Sequence, residues 1–108
     1  MKAVAFLGDS LEALRDFPAI ARRAAGYQLD RVQHGGNPDD WKPMPAVGPG
    51  VREIRIRDNA GAFRVLYVAI RMEAVYVLHC FQKKSQRTSR SDLDLGAKRY
   101  KEFMRGIR

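Results

Sequence analysis

The sequence predicts an α+β domain in which helices cover a small, mostly antiparallel sheet. Three strand-like segments follow one another between residues 51 and 82, and segments with helical spacing lie before and after them. Consecutive strands joined by short turns pair antiparallel, and flanking helices pack on the sheet that they form. The expected order is β-α-α-β-β-β-α in a single domain over residues 1–108, a length that supports one hydrophobic core.

The first third of the chain predicts a strand and a helical hairpin. The apolar run at 2–8 ends in glycine and favours a strand. Ser10 is a favourable N-cap for the first helix, because a serine oxygen accepts a hydrogen bond from the first turn. Pro18 suits the first turn of a second helix, which Gly35 and Gly36 end. The residues expected on the buried face of this second helix are Ile20, Ala24, Tyr27 and Val32.

A proline-rich segment separates this hairpin from the main strands. Residues 37–50 contain four of the five prolines, so a loop is expected there, with Trp41 as its apolar anchor. The segment 51–58 alternates apolar and charged residues, which is typical of a strand with one buried face. The segments 62–70 and 74–82 are almost wholly apolar, as in strands covered on both faces.

An amphipathic helix is predicted over residues 91–107. Ser91 is its expected N-cap, and Asp94 three residues later would complete a capping box. Its apolar stripe consists of Leu93, Ala97, Tyr100, Phe103, Met104 and Ile107. The single cysteine, Cys80, excludes an internal disulfide and a multi-cysteine zinc site, and its apolar neighbours predict a buried, unreactive thiol.

The charge of the chain indicates a polyanionic partner. The formal net charge is +8, and residues 82–108 contain nine lysines or arginines against three acids. Clustered cations are typical of proteins that bind nucleic acid. No apolar run approaches the ~20 residues that cross a bilayer, and the N-terminus lacks the pattern of a signal peptide. A cytoplasmic protein without a membrane partner is therefore expected.

Arginines on two neighbouring strands are the candidate site. Arg55 lies on the polar face of one strand, and Arg64 interrupts the apolar strand expected to pair with it. Burying a charge without a partner is costly, so Arg64 requires an explanation. Its role is either structural, in which it extends to a sheet edge or pairs with Glu53, or functional, in which it converges with Arg55, Lys83 and Lys84 to hold a phosphate. Arginine suits the second role because its planar guanidinium binds phosphate through two hydrogen bonds.

The two histidines give a weaker signal. His79 lies within a strand, where a histidine is more often a core or rim residue than a catalyst. His34 lies near a helix end beside glycines, which favours a capping or solvated role. The sequence contains no phosphate-binding glycine loop, dinucleotide fingerprint, carboxylate metal cluster or Ser-His-Asp set. No metal and no cofactor are therefore expected.

Three segments of the chain are typical of one protein family: EIR at 53–55, FRVLY at 63–67 and HCFQKKSQRT at 79–88. With them the chain resembles the RelE/ParE toxin superfamily, in particular the HigB-like, phage-derived branch of type II toxin–antitoxin systems. The resemblance covers essentially the whole chain in order. It implies a RelE-like toxin domain and an endoribonuclease that cleaves mRNA by metal-independent attack of the 2′-hydroxyl, which inhibits translation and growth.

The resemblance also implies roles for individual residues. Arg64 matches the arginine that RelE-like toxins keep near the scissile phosphate, and Arg55 matches a basic position on the first strand of the hairpin. The chain departs from ribosome-dependent members in lacking a clear tyrosine after the basic run. The residues expected to take part in catalysis are Arg55, Arg64, His79, Lys83 and Lys84, and those expected to bind RNA are Arg57, Arg87 and Arg90.

The implied partners are mRNA, free or on the ribosome, and a cognate helix-turn-helix antitoxin of the HigA/Xre-like type. Two alternatives stay open: a ParE-like toxin that binds DNA gyrase without nuclease chemistry, and an inactive nucleic-acid-binding module. The clustering of Arg64 with Lys83 and Lys84 favours the nuclease. Glu53, His79 or a lysine of lowered pKa could each serve as the general base.

Overall fold

The protein forms a five-stranded sheet with helices on both faces. The computed structural model describes residues 1–70 and 73–106. The elements are β1 (Ala3–Phe6), α1 (Ser10–Arg15), α2 (Ala19–Gln33), β2 (Trp41–Pro43), β3 (Val51–Asp58), β4 (Gly61–Ile70), β5 (Ala74–Lys83) and α3 (Arg90–Gly106). The strand order is β1-β5-β4-β3-β2, with β1 parallel to β5 and the other three pairings antiparallel. The predicted α+β class and mostly antiparallel sheet are confirmed.

The strand β2 lies inside the segment that was predicted to be a loop. It pairs with β3, and Trp41 stands opposite Ile54 in the register. Trp41 is partly buried, and the guanidinium carbon of Arg52 lies 4.0 Å from the centre of its ring. Cation–π contact and strand pairing therefore order a proline-rich segment whose own composition favours a loop.

The helices α1 and α2 cover one face of the sheet and enclose the larger core. The buried residues of α2 are Ala21, Ala25, Leu29 and Val32. The predicted buried face was partly wrong, because Ile20 and Tyr27 are exposed by 63% and 56%. The two alanines let the helix lie close to the strands, which turns the larger apolar residues outward. Cys80 is buried in this core, and burial raises the pKa of its thiol to about 12, so the thiol stays protonated near neutrality.

Both predicted serine N-caps are displaced. Ser10 is buried inside α1, where its hydroxyl donates to the carbonyl of Val77 at 3.2 Å, and Asp9 precedes the helix instead. At the start of α3, Ser89 Oγ accepts a hydrogen bond from the backbone N–H of Asp92 at 3.1 Å and donates to Asp92 Oδ2 at 2.6 Å. The serine N-cap of α3 is therefore Ser89, two residues earlier than the predicted Ser91.

The helix α3 covers part of the opposite sheet face. Leu93, Tyr100 and Phe103 pack against a second buried cluster. Gly96 allows this close packing, because a Cβ at that position would lie 2.9 Å from Cδ1 of Leu66. Of the other residues in the predicted stripe, Met104 is exposed and Ile107 lies outside the described residues. Within the described residues, no helix has the length and apolar character needed to cross a membrane.

A bulge in β5 redirects the side chains that precede the basic segment. Leu66 stands opposite His79 and Tyr67 opposite Val77, so Leu78 is an extra residue in the register. The carbonyl of Leu78 accepts a hydrogen bond from Arg99 Nη1 at 2.9 Å. Because side chains directly opposite each other in a ladder share a face, the bulge places His79 on the α3 side of the sheet.

Candidate functional site

The sheet face that α3 partly covers extends past the N-terminal end of this helix and is open there. Alternation along the strands places charged residues there, at the end of the sheet formed by the β3–β4 hairpin. They line an open groove of about 580 Å³. The cations of this basic groove are Arg55, Arg57, Arg64, Lys83 and Lys84. The structure therefore brings together all but one of the predicted catalytic residues, with Arg57 beside them.

The strand register places like charges next to each other. Arg55 stands directly opposite Arg64 across β3 and β4. In the next row, Ala62 of β4 stands between Arg57 on β3 and Lys83 on β5. Like charges directly opposite each other in an antiparallel pair are destabilising, so this arrangement costs stability in the absence of an anion. The small side chain of Ala62 leaves space between the cations of the second row.

Arg64 belongs both to the groove and to a buried ion pair. The residue is 3% exposed and Glu53 is 0% exposed. Nε of Arg64 lies 3.4 Å from Oε1 of Glu53, and Nη1 donates to the carbonyl of Phe63 at 3.0 Å. The structural pairing with Glu53 is thus confirmed, and Arg64 also lies with Arg55, Lys83 and Lys84 in the groove, where phosphate binding stays a prediction. The charged residues of 51–58 were expected on an open strand face, but Glu53 is buried. Arg64 balances its charge, and Thr88 Oγ1 donates a hydrogen bond to its Oε2.

The electrostatics of the groove reflect this crowding of cations. Burial lowers the pKa of Arg64, the attraction of Glu53 opposes this shift, and repulsion from Arg55 adds to it. Desolvation likewise lowers the pKa of Lys83, and repulsion from Arg64 lowers it further. A bound anion would relieve both repulsions, so the groove favours ligands with negative charge.

His79 lies beside the groove without lining it. The residue is 8% exposed, and its Nε2 lies 2.7 Å from Oδ1 of Asp92 at the start of α3. Its ring stacks on Phe81 with centroids 4.8 Å apart, and Nδ1 is buried with no hydrogen-bond partner among the described residues. This geometry joins β5 to α3 and leaves neither ring nitrogen facing the groove lining. The other histidine, His34, is exposed at the end of α2, where Nδ1 contacts the carbonyl of Asp30 at 2.8 Å.

The last two predicted RNA contacts, Arg87 and Arg90, are exposed and do not line the groove. Arg87 lies in the loop before α3, where its carbonyl accepts a hydrogen bond from Ser85 Oγ at 2.7 Å. Arg90 begins α3, and its Nε lies 3.3 Å from Oδ1 of Asp94, with both side chains exposed. Contact of either arginine with RNA stays a prediction.

The structure adds residues that the sequence did not indicate. Thr88 Oγ1 donates to Oε2 of Glu53 at 3.2 Å across 35 positions of sequence. Lys42 stands opposite Glu53 in the register, and its charge contributes to lowering the pKa of Lys83. Lys42 could have been found only by recognising β2. Asp92 could have been found from the Ser89–Asp92 capping spacing.

A cavity of about 630 Å³ lies apart from these charges, between α3 and the segment before β3. Its apolar lining includes Val47, Pro49, Ala97 and Met104. Two cations, Lys101 and Arg105, line this cavity, against five in the basic groove, so the groove is the better candidate for chemistry.

Comparisons with known proteins agree with the fold and the sequence resemblance. The model of the family described as Phage derived protein Gp49-like (DUF891) matches residues 12–101. A crystal structure of the isolated E. coli RelE toxin superposes with a TM-score of 0.55 at 17% sequence identity, and the match covers 100% of each chain. A sequence comparison with curated proteins finds no significant match. The chain therefore belongs to the phage-derived Gp49-like family and has the fold of the RelE toxin, which confirms its resemblance to the RelE/ParE superfamily.

Proposed function

We propose that this protein is the toxin of a type II toxin–antitoxin system and that it cleaves mRNA in the basic groove. The observation that carries the proposal is the direct opposition of Arg55 and Arg64 on an open sheet face, with Lys83 in the next row. Such an arrangement costs stability unless an anion occupies it. Family membership and the RelE fold support a toxin, and the groove supports a phosphodiester as its substrate.

The groove has the groups that 2′-hydroxyl attack on a phosphodiester requires. In this reaction the 2′-oxygen bonds to phosphorus and the bond to the 5′-oxygen breaks, which leaves a 2′,3′-cyclic phosphate and a 5′-hydroxyl. Arg64 and Arg55 would neutralise the charge that develops on the phosphate oxygens. Lys83, with its lowered pKa, would accept the proton of the 2′-hydroxyl. A protonated Lys84 or water would supply the proton for the leaving oxygen.

The other two candidates for the general base are poorly placed. Glu53 is wholly buried, and its carboxylate faces Arg64 and Thr88. His79 is held by Asp92 through Nε2, and its Nδ1 is buried. A general base must reach the proton that it removes, directly or through one water. Lys83 lines the groove and meets this requirement.

Induced expression with mapping of mRNA 5′ ends tests the proposed function. We expect growth arrest and new ends with 5′-hydroxyl groups inside translated messages. Purified protein should produce the same ends on RNA alone, where a chelator should leave the rate unchanged, or on translating ribosomes. Intact RNA together with blocked supercoiling would contradict this function and support the gyrase-directed alternative. Intact RNA with unaffected supercoiling would contradict both toxin activities and support the inactive nucleic-acid-binding module.

The proposed partner that neutralises the toxin is a helix-turn-helix antitoxin of the HigA/Xre-like type. A protein with a net charge of +8 and an open groove lined by cations complements an acidic segment. Such a segment would cover the basic groove and exclude RNA. Growth should therefore recover when the antitoxin gene next to the toxin gene is expressed with it.

The pH dependence of cleavage tests the role of Lys83. Because its pKa is lowered, Lys83 loses its proton at a lower pH than an ordinary lysine does. We expect kcat/KM to rise with pH above neutrality and to level off below the ordinary lysine pKa, since kcat/KM reports the groups of the free enzyme. Lys83→Arg keeps the positive charge at every pH in this range, so the rise should disappear. An unchanged pH profile in Lys83→Arg would assign the base to another group.

A further inference from the structure

The loop between β5 and α3, residues 84–89, is anchored to the sheet by one threonine. Thr88 Oγ1 donates a hydrogen bond of 3.2 Å to Oε2 of Glu53. The other side-chain hydrogen bonds of this loop among the described residues are local, from Ser85 to Arg87 and from Ser89 to Asp92. Thr88 therefore connects the loop that carries Lys84 and Arg87 to the middle of β3.

The carboxylate that Thr88 contacts is also the ion-pair partner of Arg64. With Oε2 of Glu53 engaged by Thr88, Oε1 lies 3.4 Å from Nε of Arg64. Nη1 of Arg64 donates to the carbonyl of Phe63. Within the described part of the chain, Nη2 makes no hydrogen bond to protein, and the side chain lines the groove. The guanidinium is thus held on one side and free to bind on the other.

We propose that Thr88 is a positioning residue for RNA cleavage, acting through Glu53 on Arg64. This inference rests on the proposed function. Without the Thr88 hydroxyl, the buried carboxylate of Glu53 can rotate. The loop is then no longer connected to Arg64 through this carboxylate. A misplacement of about 1 Å in a catalytic arrangement can cost about 10²-fold in rate. The cations themselves would remain, so the attraction of RNA to the groove would change little.

The test compares Thr88→Val, which keeps the branched shape without the donor, with Thr88→Ser, which keeps the hydroxyl. We expect Thr88→Val to lower kcat by about 10- to 100-fold, with KM changed by less than about 3-fold. Thr88→Ser should restore most of the rate. The NMR resonance of Arg64 Nε–H should move in Thr88→Val and return in Thr88→Ser. Thermal midpoints identify any unfolded variant. If Thr88→Val does not fold, kcat and the Arg64 resonance are measured instead in Glu53→Gln, which keeps the shape of the side chain.

Wild-type kcat in Thr88→Val, or an equal loss in Thr88→Val and Thr88→Ser, would overturn the positioning role. If the wild-type protein cleaves no RNA, the proposed function fails. In that case the Arg64 resonance still reports whether Thr88 orients the guanidinium. An unmoved resonance in folded Thr88→Val would show that it does not.

Discussion

Arg64→Ala is expected to lower both the activity and the stability of the protein. It removes the guanidinium proposed to bind the phosphate, and loss of one such charge-stabilising donor costs about 10²–10³-fold in rate. It also leaves Glu53, which is 0% exposed, without its ion-pair partner. Removing one partner of a buried pair costs about 3–5 kcal/mol, and we expect the lower end because Thr88 still contacts the carboxylate. Cleavage rate and chemical unfolding of the same variants measure the two effects.

A double replacement separates catalysis from stability. In Glu53→Leu combined with Arg64→Met, apolar side chains replace both charges, and such replacements are often neutral or stabilising by about 1–4 kcal/mol. This variant should fold and yet fail to cleave RNA. Arg64→Lys should fold and recover only part of the rate, because an ammonium cannot form the planar double contact. A double variant that cleaves RNA at the wild-type rate would show that Arg64 takes no part in the chemistry.

Replacing Lys83 and Lys84 together by alanine should weaken RNA binding and reduce its dependence on salt. Each cation that neutralises a phosphate contributes roughly 0.7 to the slope of log affinity against log salt for single strands. The five cations of the groove would give a slope of up to about −3.5, and loss of both lysines should flatten it by about 1.4. Affinities measured from low to physiological salt give this slope directly.

The matched control for this pair is Lys98→Ala with Lys101→Ala. Both residues are exposed on α3 and line a different surface cavity, away from the basic groove. The control carries the same change in net charge, so it measures the general effect of charge on binding. Equal slopes for the two double variants would place the RNA outside the groove.

The sequence by itself determined the class of fold and the main strands. Alternation at 51–58 and the apolar runs that follow are local signals, and β3 runs over Val51–Asp58 as predicted. The family resemblance could also be recognised from the sequence. The cluster of Arg55, Arg64, Lys83 and Lys84 could be predicted because these residues lie on or next to consecutive strands, whose pairing is short-range. Helix faces and caps were less accurate, since a shift of one or two residues leaves the local pattern almost unchanged.

Only the tertiary structure decided how the site is built. Arg55 faces Arg64 because of the strand register, and His79 points toward Asp92 because Leu78 is bulged. From the sequence alone, Arg64→Ala would be expected to fold normally if Arg64 were catalytic. The structure shows that Arg64 also balances a buried carboxylate, whose other oxygen is held by a threonine 35 residues away. Burial and hydrogen bonding of Glu53 depend on where α3 and its preceding loop lie on the sheet, and non-local packing sets that position.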